Sequence, residues 1–180
     1  LMIEAMSQVV RACPEAMLLI VGEGEERASL EAQIRRQGLG ERVRMPGQRR
    51  DIAEVLKLMD VYVLASNTEA FPLALLEAMA SGRAIVATAS GGPDEVIRDE
   101  QNGYLVRPGD AAAIADRVVM LLKDRALAQA LGRQAAADSA AYDLDNCVRR
   151  VEALYRRVVE QAGQPTMAAR GWDRMTRKKR

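Results

Sequence analysis

Five short apolar runs, each set off from the next by an amphipathic or turn-rich segment, restrict what this chain can fold into more than anything else in it. They are "MLLIV" (Met17–Val21), "VRM" (Val43–Met45), "VYVLA" (Val61–Ala65), "AIVAT" (Ala84–Thr88) and "GYLV" (Gly103–Val106). Runs this short read as strands, "MLLIV" as a buried one and "VRM" as the shortest. Between them the chain turns helical. "RASLEAQIRRQG" is stopped by Gly38, Asp51 followed by Glu54 resembles a capping box opening a helix through Met59, and "GGPDEVI" starts a short helix with Pro93 at its first position. Strands alternating with helices imply right-handed crossovers, and hence an α/β fold whose parallel sheet is covered by helices on both faces. In such sheets ligands bind beyond the carboxyl ends of the strands. The segments after "VYVLA" and "MLLIV" are therefore the places to look for a site.

At 180 residues, 49% of them hydrophobic, the chain is long enough to bury one core of ordinary size. Its 26 Lys and Arg against 25 Asp and Glu give no bulk charge that would favour nucleic acid or a membrane surface. No apolar run approaches the ~20 residues of a membrane span. Histidine is absent, which removes the commonest general base and the commonest zinc ligand together. Cys13 and Cys147 are far apart and lack metal-ligand spacing, so they read as buried or idle thiols of a reducing cytoplasm.

The first residues, "LMIEAMSQVVRACPEA", already have helical periodicity, with no capping residue or initiator methionine before them. The expectation is the C-terminal part of a longer protein. From Asp110 onward the pattern is helical: Ala111 to Lys123, about Ala126 to Ala141, and a long amphipathic Leu144 to Ala162. The last stretch, "QPTMAARGWDRMTRKKR", has no periodicity and reads as a basic, frayed tail over residues 164–180, leaving one domain over 1–163.

Two motifs are better explained by structure than by chemistry. In "VGEGEE" the glycines Gly22 and Gly24 follow a strand, but Arg27 holds the third glycine position of a dinucleotide fingerprint. Glu23, Glu25 and Glu26 would also repel a pyrophosphate. Tight-turn glycines account for it. "DLD" (Asp143–Asp145) resembles a metal-binding carboxylate pair of some sugar transferases, yet it lies between helices, where capping is expected.

"ASNTEAFPLALLEAMASG" (Ala65–Gly82) is a different case. A strand ends at Ala65, a polar loop follows, Pro72 can begin a helix without wasting an amide, and Gly82 closes it. The free amides of Leu73 and its neighbours then point to the ligand side, where the helix dipole favours phosphate. Glu77 lies four residues beyond Leu73, on the same face and ~6 Å further along the axis, placed to reach from a diphosphate to ribose hydroxyls. Glu69, in the loop before the helix, falls on the other side of the phosphates, where a sugar would sit. Spacing alone leaves a plainer reading open, in which Glu69 complements the helix dipole and Glu77 is a solvated face residue.

From about Met17 to Asp110 the chain resembles the nucleotide-sugar half of the group 1 family of retaining glycosyltransferases, which have the GT-B fold. The elements that carry the resemblance are "LLIVGEGEE", "RVRMPGQRRDI", "DVYVLASNTEAFPLALLEAMASGRAIVAT", "GGPDEVI" and "NGYLVRPGD", in the family's order, with a closing long helix. The implied fold is a Rossmann-like parallel sheet with helices on both faces, the C-terminal half of a GT-B protein, ending in C-terminal helices. The implied roles are Glu69 on the transferred sugar and Glu77 on the ribose. Amides around Phe71, Pro72, Leu73 and Ala74 would hold sugar and diphosphate, and the loop around Gln48 and Arg49 would face the base. The family's Arg and Lys for the diphosphate, carried just before the opening helix, are not in this sequence, nor is its acceptor domain. Family members often have "EGFG" or "EGFP" where this chain has Ala70.

The resemblance therefore implies transfer of a sugar, with retention, from a nucleoside diphosphate sugar such as a UDP-sugar to a glycan or lipid-linked acceptor. No metal or other cofactor is expected, with the leaving group stabilised by helix amides. The setting implied is cell-surface polysaccharide synthesis in the cytoplasm, at the inner membrane face where the acceptor is lipid-linked. An epimerase or phosphorylase could share the fold, but neither a histidine nor a cofactor-lysine signature is present. A nucleotide-sugar-binding module without catalysis is the other alternative.

Overall fold

The computed structural model describes residues 1–162, so the basic tail expected over 164–180 lies outside the described residues. The chain divides into two compact units, Leu1–Ala140 and a second that begins at Ala141.

All five expected strands form. β1 (Leu18–Val21) runs parallel to β2 (Val43–Gly47), with Leu18 opposite Val43. β3 (Val61–Leu64), β4 (Ala84–Thr88) and β5 (Tyr104–Val106) are parallel in the order β3-β4-β5, with Val61 opposite Ala84 and Val86 opposite Tyr104. α1 (Met2–Ala12) precedes β1, and one helix lies between each pair of successive strands: α2 (Arg27–Arg36), α3 (Ile52–Leu58), α4 (Leu73–Ala80) and α5 (Gly92–Val96). Then follow α6 (Ala111–Lys123), α7 (Arg125–Ser139), a 3-10 turn at Ala140–Tyr142 and α8 (Leu144–Ala162).

β4 shows why the apolar runs are continuous. All five of its residues are buried, and they divide by parity. Ala84 and Val86 join a core with Ile3, Met6 and Val9 of α1 and Ile114, Val118 and Leu121 of α6. Ile85 and Ala87 join Leu75 and Met79 of α4, Val96 of α5 and Ala135 of α7. With helices on both faces, the one polar side chain of this strand, Thr88 at its end, is buried and donates its hydroxyl to the Ser66 carbonyl.

Two expectations change. The strands form two hydrogen-bonded sheets instead of one, because β1 does not pair with β3. Both strands line a cleft of about 690 Å³, together with Met2 and Met6 of α1 and Leu122 of α6. The apolar surface beside Met17–Val21 lies in this cleft, between the two sheets, and the single core that contains Val43 and Val86 spans both. The capping box at Asp51 also does not form. Asp51 is the N-cap of α3 but makes no side-chain cap bond, because its carboxylate takes the fork of Arg49 at 2.8 and 2.5 Å.

Three other aspartates do cap helices, that of "DLD" as the sequence suggests. Asp110 accepts from the Ala113 amide at 2.8 Å, Asp124 from that of Leu127 at 2.9 Å, and Asp143 from that of Asn146 at 2.6 Å. "DLD" is thus a helix cap. Within the second unit, α8 carries Val148, Val151, Tyr155 and Val158 at helical spacing along an exposed apolar stripe.

Gly82 terminates α4 with φ +68°, its amide donating to the Met79 carbonyl. α7 crosses there so closely that a Cβ on Gly132 would stand 2.2 Å from the Gly82 carbonyl oxygen. Gly132→Ala should therefore destabilise the chain. The helix-propensity gain of ~1 kcal/mol is outweighed by an overpacking cost of ~1–3 kcal/mol or more against rigid backbone. Denaturant midpoints would show it, and a more stable variant would refute the close crossing.

Candidate active site

The candidate site starts where β3 ends. Past Leu64 the chain is tied twice to the neighbouring strand's exit. The Thr88 hydroxyl, fully buried, donates to the Ser66 carbonyl at 2.5 Å. Three residues on, the Glu69 amide donates to the Ser90 carbonyl at 2.9 Å, and the Glu69 carbonyl accepts from the Gly92 amide at 2.6 Å. Glu69 is thus an isolated parallel bridge to Gly91, half-buried, at the carboxyl end of the sheet.

Pro72 was expected to begin the helix, and it stands one residue earlier, as the N-cap of α4 with ψ 100°. Its carbonyl accepts from the amides of Leu75 and Leu76, so the Leu73 and Ala74 amides have no carbonyl partner inside the helix. α4 is apolar nearly all round, with Leu75, Ala78 and Met79 buried, and this packing decides which residues stay open. Leu73, Ala74 and Glu77 are exposed on the other face, next to exposed Phe71. Glu77 is the only charged residue of the helix, and it shares its face with the free amide end.

The fold therefore brings Glu69, Phe71, Pro72, Leu73, Ala74 and Glu77 together on one loop and helix. Gln48 and Arg49 are placed elsewhere, just past the carboxyl end of β2 in the other sheet. Arg49 there is paired with Asp51, and the hydrogen bonds from its guanidinium hold the Asp51 carboxyl below the usual carboxylate range. Arg27, which occupies the third glycine position of "VGEGEE", donates to Glu23 at 2.8 Å, to Glu31 at 3.0 Å and to the Met45 carbonyl at 3.0 Å. That turn is a structural device linking α2 to β2. Cys13 and Cys147 are both free thiols. Among the described residues no group of three or more His, Cys, Asp or Glu is placed to hold a metal ion.

Three features of the site are not evident in the sequence. Tyr62 of β3 has its phenol pushed up to about 12, first by burial, then by the charges of Glu77 and of Glu69. One phenol thus feels both carboxylates. The other two are Thr88 and the Ser90–Gly92 turn, which pin the Glu69 loop. "GGPDEVI" shows a helix start in sequence, and the contact with Glu69 exists only after β3 and β4 pair.

The structural neighbours of this α/β chain, with its parallel sheets flanked by helices, are GT-B glycosyltransferases. The chain belongs to the family Glycosyl transferases group 1, matching it over residues 1–138. It is 36% identical over 133 residues to the N-acetyl-alpha-D-glucosaminyl L-malate synthase of Bacillus anthracis, covering 74% of this chain and 35% of that protein. It is 32% identical over 173 residues to the phosphatidyl-myo-inositol mannosyltransferase of Mycobacterium leprae, covering 93% of this chain and 45% of that one. Anabaena HepE, solved in complex with UDP, superposes with TM-score 0.81 at 26% identity, over 87% of this chain and 44% of that one. The C-terminal domain of a group 1 glycosyltransferase from Francisella tularensis matches with TM-score 0.71 at 30% identity, over 79% of this chain and 77% of that one. The chain spans about a third of the length of the first of these curated relatives. Among the described residues no helix is long and apolar enough to cross a membrane.

The Tyr62 environment gives a measurable pH dependence. Its folded pKa lies above the unfolded value near 10, so its contribution to stability is full below pH 10 and is lost as pH rises towards 12. A shift of this size corresponds to roughly 2–3 kcal/mol across that window. Tyr62→Phe should flatten the alkaline fall in denaturant midpoint, and Glu77→Gln should move the tyrosine absorbance titration to lower pH. A titration unchanged by Glu77→Gln would place the carboxylate out of reach of the phenol.

Proposed function

We propose that this chain is the donor-binding domain of a retaining glycosyltransferase that uses a nucleoside diphosphate sugar, in first instance a UDP-sugar. The observation that carries the reading is the placement of two carboxylates on either side of a helix end that offers free amides. Glu69 stands before the N-terminus of α4 and Glu77 on its open face, with the Leu73 and Ala74 amides between them. In this reading the amides and the helix dipole take the diphosphate. Glu77 accepts from the two ribose hydroxyls, a pair of donors that suits one carboxylate. Glu69 orients the transferred sugar and offsets the positive charge that develops at its anomeric carbon. The departing phosphate accepts the acceptor's proton, so the absence of histidine is no obstacle. The base lies towards Gln48 and Arg49. HepE and Staphylococcus aureus TarM, each solved with UDP, support the choice of nucleotide.

A glycan or lipid-linked acceptor is the proposed co-substrate. Relatives named for lipopolysaccharide core biosynthesis and for transfer to a diphospho-undecaprenol substrate support it. The chain spans about a third of such proteins. Acceptor binding and the cations for the diphosphate therefore fall, in this proposal, to sequence outside these 180 residues.

Glu77→Gln should weaken UDP binding by ~1.5–3 kcal/mol, the loss of a charge-assisted hydrogen bond, with folding almost untouched. An unchanged calorimetric Kd would remove Glu77 from the ribose. In a protein that includes the acceptor half, Glu69→Ala should lower turnover far more than affinity for bare UDP, because its partner is the sugar. Equal losses would place both carboxylates on the nucleotide. The purified 180-residue chain should bind UDP weakly and transfer no sugar, since in this proposal the acceptor half closes over the donor and excludes water. Turnover above background in a transfer and donor-hydrolysis assay would overturn the donor-domain reading.

A further inference from the structure

The loop that carries Glu69 is held by the exit of the neighbouring strand, and the contact leaves no room for adjustment. Glu69 has both backbone groups bonded into the Ser90–Gly92 turn, its amide to the Ser90 carbonyl and its carbonyl to the Gly92 amide. A Cβ on Gly91, which has φ +112°, would stand 2.9 Å from the Glu69 carbonyl oxygen. A Cβ on Gly92 would stand 2.3 Å from the Ala70 carbonyl oxygen and 2.9 Å from the Pro72 ring. Gly92 is buried and is not among the glycines with positive φ, so its requirement is contact and not backbone conformation. Ahead of this crossing, the buried Thr88 hydroxyl fastens the start of the same loop at Ser66.

We propose that Thr88 and Gly92 are positioning residues for Glu69, setting the height and direction of its carboxylate above the carboxyl end of β3 and thereby the grip on the transferred sugar. This rests on the assignment of Glu69 to the sugar. A glutamate on a free loop would sample many orientations. One whose amide and carbonyl are both fixed to the turn that follows an adjacent buried strand has a defined Cα–Cβ direction, and only its side-chain torsions remain. A Cβ at position 92 meets backbone, which cannot swing aside as a side-chain tip could, so the Glu69–Pro72 segment must lift. Glu77 lies within α4, whose buried face remains anchored by Leu75, Ala78 and Met79.

The test separates the sugar from the nucleotide. On the purified 180-residue chain, dissociation constants are measured by NMR titration for UDP and for UDP-glucose, UDP-galactose and UDP-N-acetylglucosamine. The quantity read is the ratio of affinity for the best-bound sugar nucleotide to that for UDP. Gly92→Ala should change this ratio to the value found for Glu69→Ala, a change of about tenfold or more. Adding Gly92→Ala to Glu69→Ala should change it no further, because the glycine acts through the glutamate. Thr88→Val should move the ratio in the same direction and Thr88→Ser, which keeps the hydroxyl, should restore it. The Thr88 pair decides the matter if Gly92→Ala does not fold. Equal loss of affinity for UDP and sugar nucleotide in Gly92→Ala and Thr88→Val would show a merely structural role and overturn the proposal. A ratio unaffected by Glu69→Ala would instead remove Glu69 from the sugar, and the proposal would fall with that assignment.

Discussion

Parallel pairing of β3 with β4 is the constraint on which the site depends. Because the strands run the same way, with Val61 opposite Ala84 and Leu64 opposite Ala87, their exits lie side by side at one end of the sheet. The loop after β3 then meets the turn after β4, and an isolated parallel bridge between Glu69 and Gly91 joins them beyond the strands, one residue out of the ladder's register. An antiparallel pair would put these two segments at opposite ends. β4 holds the arrangement in place through two cores, one on each face, so a shift of register by one residue would exchange the packing partners of Ile85 and Val86.

The same packing sorts the residues of α4. In "LALLEAMA" nearly every side chain is apolar, so the helix has little amphipathic pattern of its own. Burial of Leu75 and Met79 against Ile85 and Ala87 fixes its rotation. What remains outward is Leu73, Ala74 and Glu77, and with them the amide end of the helix. A single charge on an otherwise apolar helix is tolerated because the core leaves it in solvent, and it is placed where a ligand seated on the amides would extend. Tyr62 beneath registers both carboxylates electrostatically, so Glu69 and Glu77 belong to one neighbourhood although seven residues separate them in the chain.

Polar groups in the interior of this unit serve alignment. Thr88 is fully buried yet satisfied by the Ser66 carbonyl, and fully buried Asn102 donates to the Val96 carbonyl and to Asp138 while accepting from the Arg98 amide. Each such bond costs little in the folded chain and a good deal if broken, because its partner would be left buried without one. The first ties the site loop to the sheet and the second ties α7 to the segment after α5. Rigid support of this kind distinguishes a glutamate in a defined place from one on a mobile loop.

Much of this was legible in the sequence because it depends on local chemistry. Short apolar runs form strands, helices between them enforce parallel crossovers, and Gly82 and Asp143 stop or cap helices by rules that operate within a few residues. The position of Glu69 and Glu77 around a helix start follows from the same short-range geometry. What required tertiary structure was every relation between segments distant in the chain. Asp51 failed as a capping box because Arg49 competed for its carboxylate, and β1 and β3 face a shared cleft in two separate sheets instead of pairing. Gly92 looks like an ordinary helix-opening residue until a carbonyl from twenty-two residues earlier comes to rest where its Cβ would be. Periodicity and capping are properties of neighbours along the backbone and survive in the sequence; steric contact between two loops is a property of the fold, because only strand pairing decides which loops meet.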